Sequence, residues 1–360
     1  MSETATTKKR QRFLDRLRVF ATCAVVMLHT ITGVMDTTDM SLYPVQKTVF
    51  LVALDLLTWC VPVFVMISGY LFLHPDRKPT LRTMLFRYCR RIVFALFLFG
   101  VPYAVLEQIA TTGNVSAGMI GKAFHMVCTG QSWSHMWYLY LILVLYVATP
   151  AMKWMLERMP RPALYTILTI LVVGSSLLTY LRKLFGWDGL ISMPDAGIYF
   201  FYYICGGLLA EKTSSSGTDT GSGKLLEHIR RSPSERRAAL AITVLLAGMI
   251  ASRLVGSYSV QMAYNYPFTV VLVLLSVWLA SRLEDCMQTE KGWSALSELC
   301  FCVYLIHPLF INILYKFLHI TPLDFPIGLS LPLFFLAVLI PSVLVSFLLH
   351  KIGILRKYVL

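Results

Sequence analysis

Apolar stretches of about twenty residues alternate along the chain with short polar connections rich in Lys and Arg. A run of roughly 17–25 mostly apolar residues crosses a bilayer as a helix. By that measure the pattern predicts ten spans: 17–35, 46–73, 91–110, 136–154, 163–181, 194–210, 238–257, 265–282, 298–317 and 327–349. The second is long enough to tilt or to extend past the lipid. Gly197, Gly206 and Gly207 interrupt the sixth and weaken it as a continuous helix. The segment 111–134 contains AGMIGKAFHMVCTG, too short and polar to span and suited to an interfacial or re-entrant helix. The longest polar segment, 211–237, begins Gly/Ser/Thr-rich and ends basic, so it reads as a flexible loop with a surface-associated end.

Composition agrees with the pattern. The chain is 57% hydrophobic and 14% charged, where a soluble domain carries about 25% charged residues. The expected class is an all-α polytopic membrane bundle, forming one domain over 1–360 with a basic tail at 1–16. Of the 32 Lys and Arg, all but Lys47, Lys122, Arg182, Lys183, Arg253 and Lys316 fall on one side of the predicted topology. That bias places both termini in the cytoplasm and implies an even number of spans. It also accounts for the net charge of +13 without nucleic acid as a partner. Met1–Arg18 is polar and basic with no small-residue cleavage site, so the first span is expected to be retained. The eight cysteines show no CxxC pair and read mostly as buried thiols.

Charged and titratable groups inside spans need a reason, because lipid offers them no partner. Arg18 opens the first span and His29 follows eleven residues later. Eleven residues is close to three helical turns, a rise of about 16 Å, so both project from one face. Arg18 then sits at the inner rim and His29 near mid-membrane. Asp55 and His307 fall in the second and ninth spans, His135 opens the fourth at its outer edge, and Glu107 and Arg253 lie near outer ends. Two arrangements stay open. Asp55 converges with His29 and His307 on a watery cavity, where a carboxylate raises imidazole basicity, or it pairs with Arg253 as a structural ion pair. Trp137 and its tyrosine neighbours read as interfacial anchors. The basic run Arg77–Arg91 is either a positive-inside anchor or a holder of donor phosphates. No GxSxG, Walker A, HExxH or metal-spaced cluster occurs, so neither a metal nor a permanently bound cofactor is expected.

Five ordered landmarks carry a resemblance. Asp15, Leu17, Arg18 and His29 form D-x-L-R with a histidine beyond; VPVFVMISGY runs from Val61 to Tyr70; RYCRR holds Arg87, Arg90 and Arg91. HMWYLYLILVLYVATP follows, and CFCVYLIHP spans Cys300–Pro308, with Cys300 where a serine is usual. Together they resemble the acyltransferase-3 family of integral-membrane O-acyltransferases over essentially the whole chain, most nearly its surface-polysaccharide O-acetyltransferase branch. An esterase-like extracytoplasmic domain found in longer members is not expected.

The resemblance implies a cell-membrane (plasma or inner) enzyme that moves an acetyl or other short acyl group. The donor is acetyl-CoA, a co-substrate bound from the cytoplasm. The acceptor is a hydroxyl of a surface carbohydrate or lipid-linked glycan, with membrane lipid around both. On that reading Arg18, Arg87, Arg90 and Arg91 hold CoA phosphates. His29 is the general base, with His307 and Asp55 in the catalytic group. His135, Trp137, Tyr304 and Ser68 serve the acceptor or the oxyanion. An acetyl-His29 intermediate is an open variant. The alternative is a transporter or flippase of a glycan or small metabolite, which Gly-broken helices and mid-depth polar groups also suit.

Overall fold

The computed structural model describes residues 11–116, 118–186, 195–215, 232–254, 263–283 and 291–359, and within them all ten predicted spans are mainly helical. Among the described residues every regular element is helical, as lipid requires of a backbone that must satisfy its own hydrogen bonds. The first span is α1 (Arg12–Thr37). The second is split into α2 (Pro44–Leu57) and α3 (Cys60–Phe72). Then come α4 (Arg90–Thr112), α5 (Met119–Cys128) and α6 (Trp137–Arg158). The fifth span joins α7 (Arg161–Val172) through a π-helical turn to α8 (Leu178–Phe185). After these run α9 (Ala196–Ser215), α10 (Pro233–Leu254), α11 (Pro267–Arg282), α12 (Lys291–Asn312) and α13 (Ile327–Lys351).

Eight of the ten are long and apolar enough to cross a membrane. The exceptions have local causes. Helix α11 has 16 residues and reaches only about 24 Å. In α9 the tyrosines, the glycines and the terminal Glu211–Lys212 dilute the apolar run. The 111–134 segment supplies α5, a ten-residue amphipathic helix. The expected loop at 211–237 begins later than its composition suggests. Helix α9 continues through Ser215, where Arg161 donates to Glu211 at 2.8 Å. Residues 216–231 of that loop and 1–10 of the basic tail lie outside the described residues. Of the cysteines, Cys128 departs from the buried pattern and is exposed.

Glycine sets the closest approach in the bundle. A Cβ on Gly69 would lie 1.9 Å from the Tyr203 carbonyl oxygen, and one on Gly206 would lie 2.2 Å from that of Met66. Helices α3 and α9 therefore touch backbone to backbone, the packing that small residues permit where apolar burial supplies no drive between helices. The glycine in VPVFVMISGY and the interruption in the sixth span are the two halves of one contact. Where α3 ends, the buried Lys153 of α6 donates to the carbonyls of Leu73 and His74 at 3.1 and 2.9 Å. Glu157 pairs with its charge at 3.2 Å, and the bond to Leu73 gives a helix-end carbonyl a partner.

Asp55 takes the second of its two open arrangements. Arg253 Nε donates to Oδ2 at 2.8 Å and its terminal nitrogen to Oδ1 at 3.0 Å. Both side chains are buried. The expectation that Asp55 joins the histidines is thus corrected, because a bidentate guanidinium occupies both carboxylate oxygens and ties α2 to α10. Removing one partner of such a pair strands a buried charge, at a cost of about 3–5 kcal/mol. Asp55→Ala is accordingly expected to lower thermal stability in detergent sharply, with Asp55→Leu/Arg253→Met recovering most of the loss. A melting temperature unchanged in the single variant would contradict the pairing.

Candidate active site

Helices α1 and α12 lie side by side and bring together two histidines 278 residues apart. His307 Nε2 stands 3.1 Å from His29 Nδ1. His307 is fully buried, and its Nδ1 is 3.1 Å from the Val303 carbonyl. A carbonyl only accepts, so Nδ1 of His307 carries the proton and Nε2 a lone pair. His29 Nδ1 faces two acceptors, that lone pair and the Val25 carbonyl at 3.0 Å. It is therefore the protonated nitrogen of His29. The network leaves Nε2 of His29 with its own lone pair, on a ring that lines a cavity.

Pro308 helps to orient this pair. Inside α12 it has no N–H for the Tyr304 carbonyl one turn back. That carbonyl faces the His307 ring along with Val303. The neighbouring Leu305 carbonyl accepts from the buried Tyr103 hydroxyl at 2.6 Å.

The cavity has a volume of about 420 Å³. Along α1 its lining runs from the half-buried His29 through Thr32 and Gly33 to the exposed Asp36 and Thr37, so the imidazole is at the deep end. His135, 3% exposed, lies in the same lining. Its ring centre is 6.2 Å from that of His29 and 5.8 Å from that of His307. Its Nε2 has no hydrogen-bond partner among the described residues, which is costly for a buried polar atom unless something else binds there. The Tyr304 hydroxyl donates to the His135 backbone carbonyl and is committed to holding that segment.

Opposite the α1 face stands Trp133, stacked on Tyr103 at 4.1 Å and 7° between planes. Its indole N–H donates to Glu107 Oε2 at 3.1 Å. Lys316 bonds both oxygens of Glu107 at 2.8 and 3.0 Å. These three side chains line the cavity, and sequence reading assigned none of them to the site. The signal existed: Lys316 is among the six exceptions to the basic bias and Glu107 lies in a span, so each needed a partner. Trp137, by contrast, packs on Tyr264 and Tyr199 at 5.9 and 5.8 Å and does not line the cavity. The tryptophan at the site is the one four residues earlier.

At the other end of α1, Arg18 reaches Asp15 at 3.4 Å and Ser297 at 3.5 Å, and Ser297 donates to Asp15 at 2.8 Å. The D-x-L-R landmark is thus a local ion pair extended to α12. The Ser68 hydroxyl meets those of Tyr138 and Tyr146, two tyrosines within reach of the Arg18 charge. Tyr138 is 5.8 Å from Tyr304, and Tyr304 is 6.1 Å from His307, centre to centre. An aromatic string therefore joins the Arg18 end to the histidines. The three arginines of RYCRR separate. Arg91 points inward and donates to the Val359 carbonyl at 3.1 Å. Arg87 and Arg90 are exposed, with Arg87 over the Tyr88 ring at 5.5 Å.

A helical bundle built to span lipid, with paired imidazoles at the foot of a cavity, belongs to the class of multi-pass membrane proteins. The model of the acyltransferase-3 family, described as an acyltransferase domain, matches residues 11–351. The chain belongs to that family and is a membrane acyltransferase. No curated protein and no solved structure matches it.

Proposed function

We propose that the protein transfers an acetyl or other short acyl group from acyl-CoA to a hydroxyl of a surface carbohydrate or lipid-linked glycan at the cell (plasma or inner) membrane. The observation that carries this reading is the His29–His307 contact at the foot of the cavity, which leaves one imidazole lone pair facing it. The basic bias puts the Arg18 end in the cytoplasm, so the donor approaches from that side and the acceptor from the cavity. Arg18 and Arg91 hold the donor's phosphates, with Arg87 and Arg90 adding charge at the surface.

His29 Nε2 takes the proton of the acceptor hydroxyl as its oxygen attacks the thioester carbonyl. The charge formed on the ring is shared through Nδ1–H with His307 Nε2, which makes His307 a positioning partner. His135 Nε2 donates to the developing oxyanion. Collapse breaks the carbon–sulfur bond, and CoA leaves as a thiolate that takes up a proton. Family membership favours this over the carrier alternative, since a carrier leaves the thioester intact.

Radiolabelled acetyl-CoA, offered with envelope glycans to the purified chain in nanodiscs, tests the reading. Alkali-labile label on the glycan is expected, and label that stays on CoA would end it. Arg18→Gln removes a charged partner worth about 1.5–3 kcal/mol. It is expected to raise KM for acetyl-CoA by about ten-fold or more while KM for the glycan stays put. Equal KM for the donor in both proteins, from initial rates, would remove Arg18 from the donor site.

A further inference from the structure

We infer that the cavity above His29 is an acceptor subsite for a hydroxyl-rich sugar unit that carries no negative charge, with Trp133 as its platform. This rests on the carbohydrate reading above and specifies which carbohydrates fit.

Hydrogen-bond capacity and charge decide which sugars the cavity takes. Thr37 and Ser132 line the cavity and donate their hydroxyl protons to the carbonyls of Gly33 and Gly100 at 2.9 and 3.1 Å. Asn312 donates from its amide nitrogen to the Pro308 carbonyl at 2.8 Å. Thr37 and Ser132 keep only lone pairs for a ligand, and Asn312 keeps its carbonyl oxygen and one N–H. The carboxylate of Asp36 adds more, while Lys316 spends two of its three N–H groups on Glu107 and keeps one. Among these groups acceptor sites outnumber free donors, and two carboxylates against one ammonium leave the lining net negative. A polyol, or a sugar bearing an amine, matches that lining. A phosphate, sulfate or uronate meets the surplus lone pairs and the Asp36 carboxylate, since Lys316 is already paired with Glu107.

The aromatic wall completes the fit. Tyr103 covers one face of Trp133 without itself lining the cavity, and the bond to Glu107 fixes the ring's tilt. A braced indole offers the apolar C–H face of a pyranose an ordered surface, while the ring's hydroxyls turn to the lone pairs. The volume of about 420 Å³ lies in the range of small-molecule sites. At the bottom, the partnerless His135 Nε2 and the His29 lone pair are where the reacting hydroxyl would sit.

Calorimetry on the full chain in nanodiscs, with cellobiose, the disaccharide of glucosamine and digalacturonate as probes, tests the subsite without requiring turnover. Cellobiose and the glucosamine dimer are expected to bind in the millimolar range, and digalacturonate about ten-fold more weakly or worse. Trp133→Ala is expected to weaken cellobiose by up to about ten-fold. Asp36 is exposed, so Asp36→Asn keeps the fold and is expected to narrow the discrimination against digalacturonate several-fold. Equal affinity for the three probes, no binding of any, or unchanged cellobiose affinity in Trp133→Ala would each overturn the proposal. Sugar binding as expected with no acetyl group leaving acetyl-CoA would defeat the transferase reading alone. Transfer with indifference to sugar charge would defeat only the subsite.

Discussion

In His29→Ala the rate of acyl transfer is expected to fall by about 10²–10⁴, the range that a positioned general base contributes. On the proposed reading the donor should still bind, because Arg18 at the far end of α1 and Arg91 on α4 are untouched. The loss therefore belongs in kcat, with KM for acetyl-CoA near its original value. Imidazole added to the medium should restore part of the rate by filling the space the ring vacates. His307→Gln is expected to be intermediate, since an amide oxygen still accepts from His29 Nδ1 but bears the forming charge less well than an imidazole. The measurement is the initial rate of label transfer at saturating donor. A wild-type rate in His29→Ala would mean that the base is elsewhere, and His135 would be the next residue to examine.

Gly69→Val should be the most damaging substitution away from the site. Its Cβ would fall 1.9 Å from a backbone oxygen of α9, and no rotamer of either residue relieves that. The helices must part, which removes the contact on both sides and draws the Lys153 cap away from the end of α3. Overpacking commonly costs about 1–3 kcal/mol where side chains can give way, and here the obstacle is backbone, so a larger loss is expected. The readout is the yield of monodisperse protein and its melting temperature in detergent. Gly248 provides the control: it sits in α10 with open space around it, so Gly248→Ala should be neutral or slightly stabilising through helix propensity. If Gly69→Val melts with the wild-type protein, backbone contact between α3 and α9 does not hold the bundle.

Reading the spans from the sequence worked because an apolar run of sufficient length has few other places to go. The boundaries of α9 and the split of the second span were not legible in the same way. Helix α9 runs past its apolar stretch because Glu211 finds Arg161, a partner 50 residues earlier. The second span breaks at Thr58–Trp59, where Pro62 has no N–H for the Thr58 carbonyl, a weak marker because Pro102 and Pro150 leave their helices unbroken. At the site, the types of residue were visible and their partners were not. His29 and His307 stood out as imidazoles in lipid, and Asp55 as a carboxylate there. Which of them met was a question of helix order, and Arg253 won Asp55.

Hydropathy by itself therefore determined that this chain is a helical membrane bundle, and spacing determined that Arg18 and His29 share one helix three turns apart. Both are local properties, set by the period of the helix and the thickness of the bilayer. Tertiary structure alone decided that His307 meets His29, that Glu107 and Lys316 brace Trp133, and that Trp133 rather than Trp137 faces the cavity. Those contacts join residues from 26 to 278 positions apart. Such distances are closed only by the packing of helices against one another, which no single segment encodes.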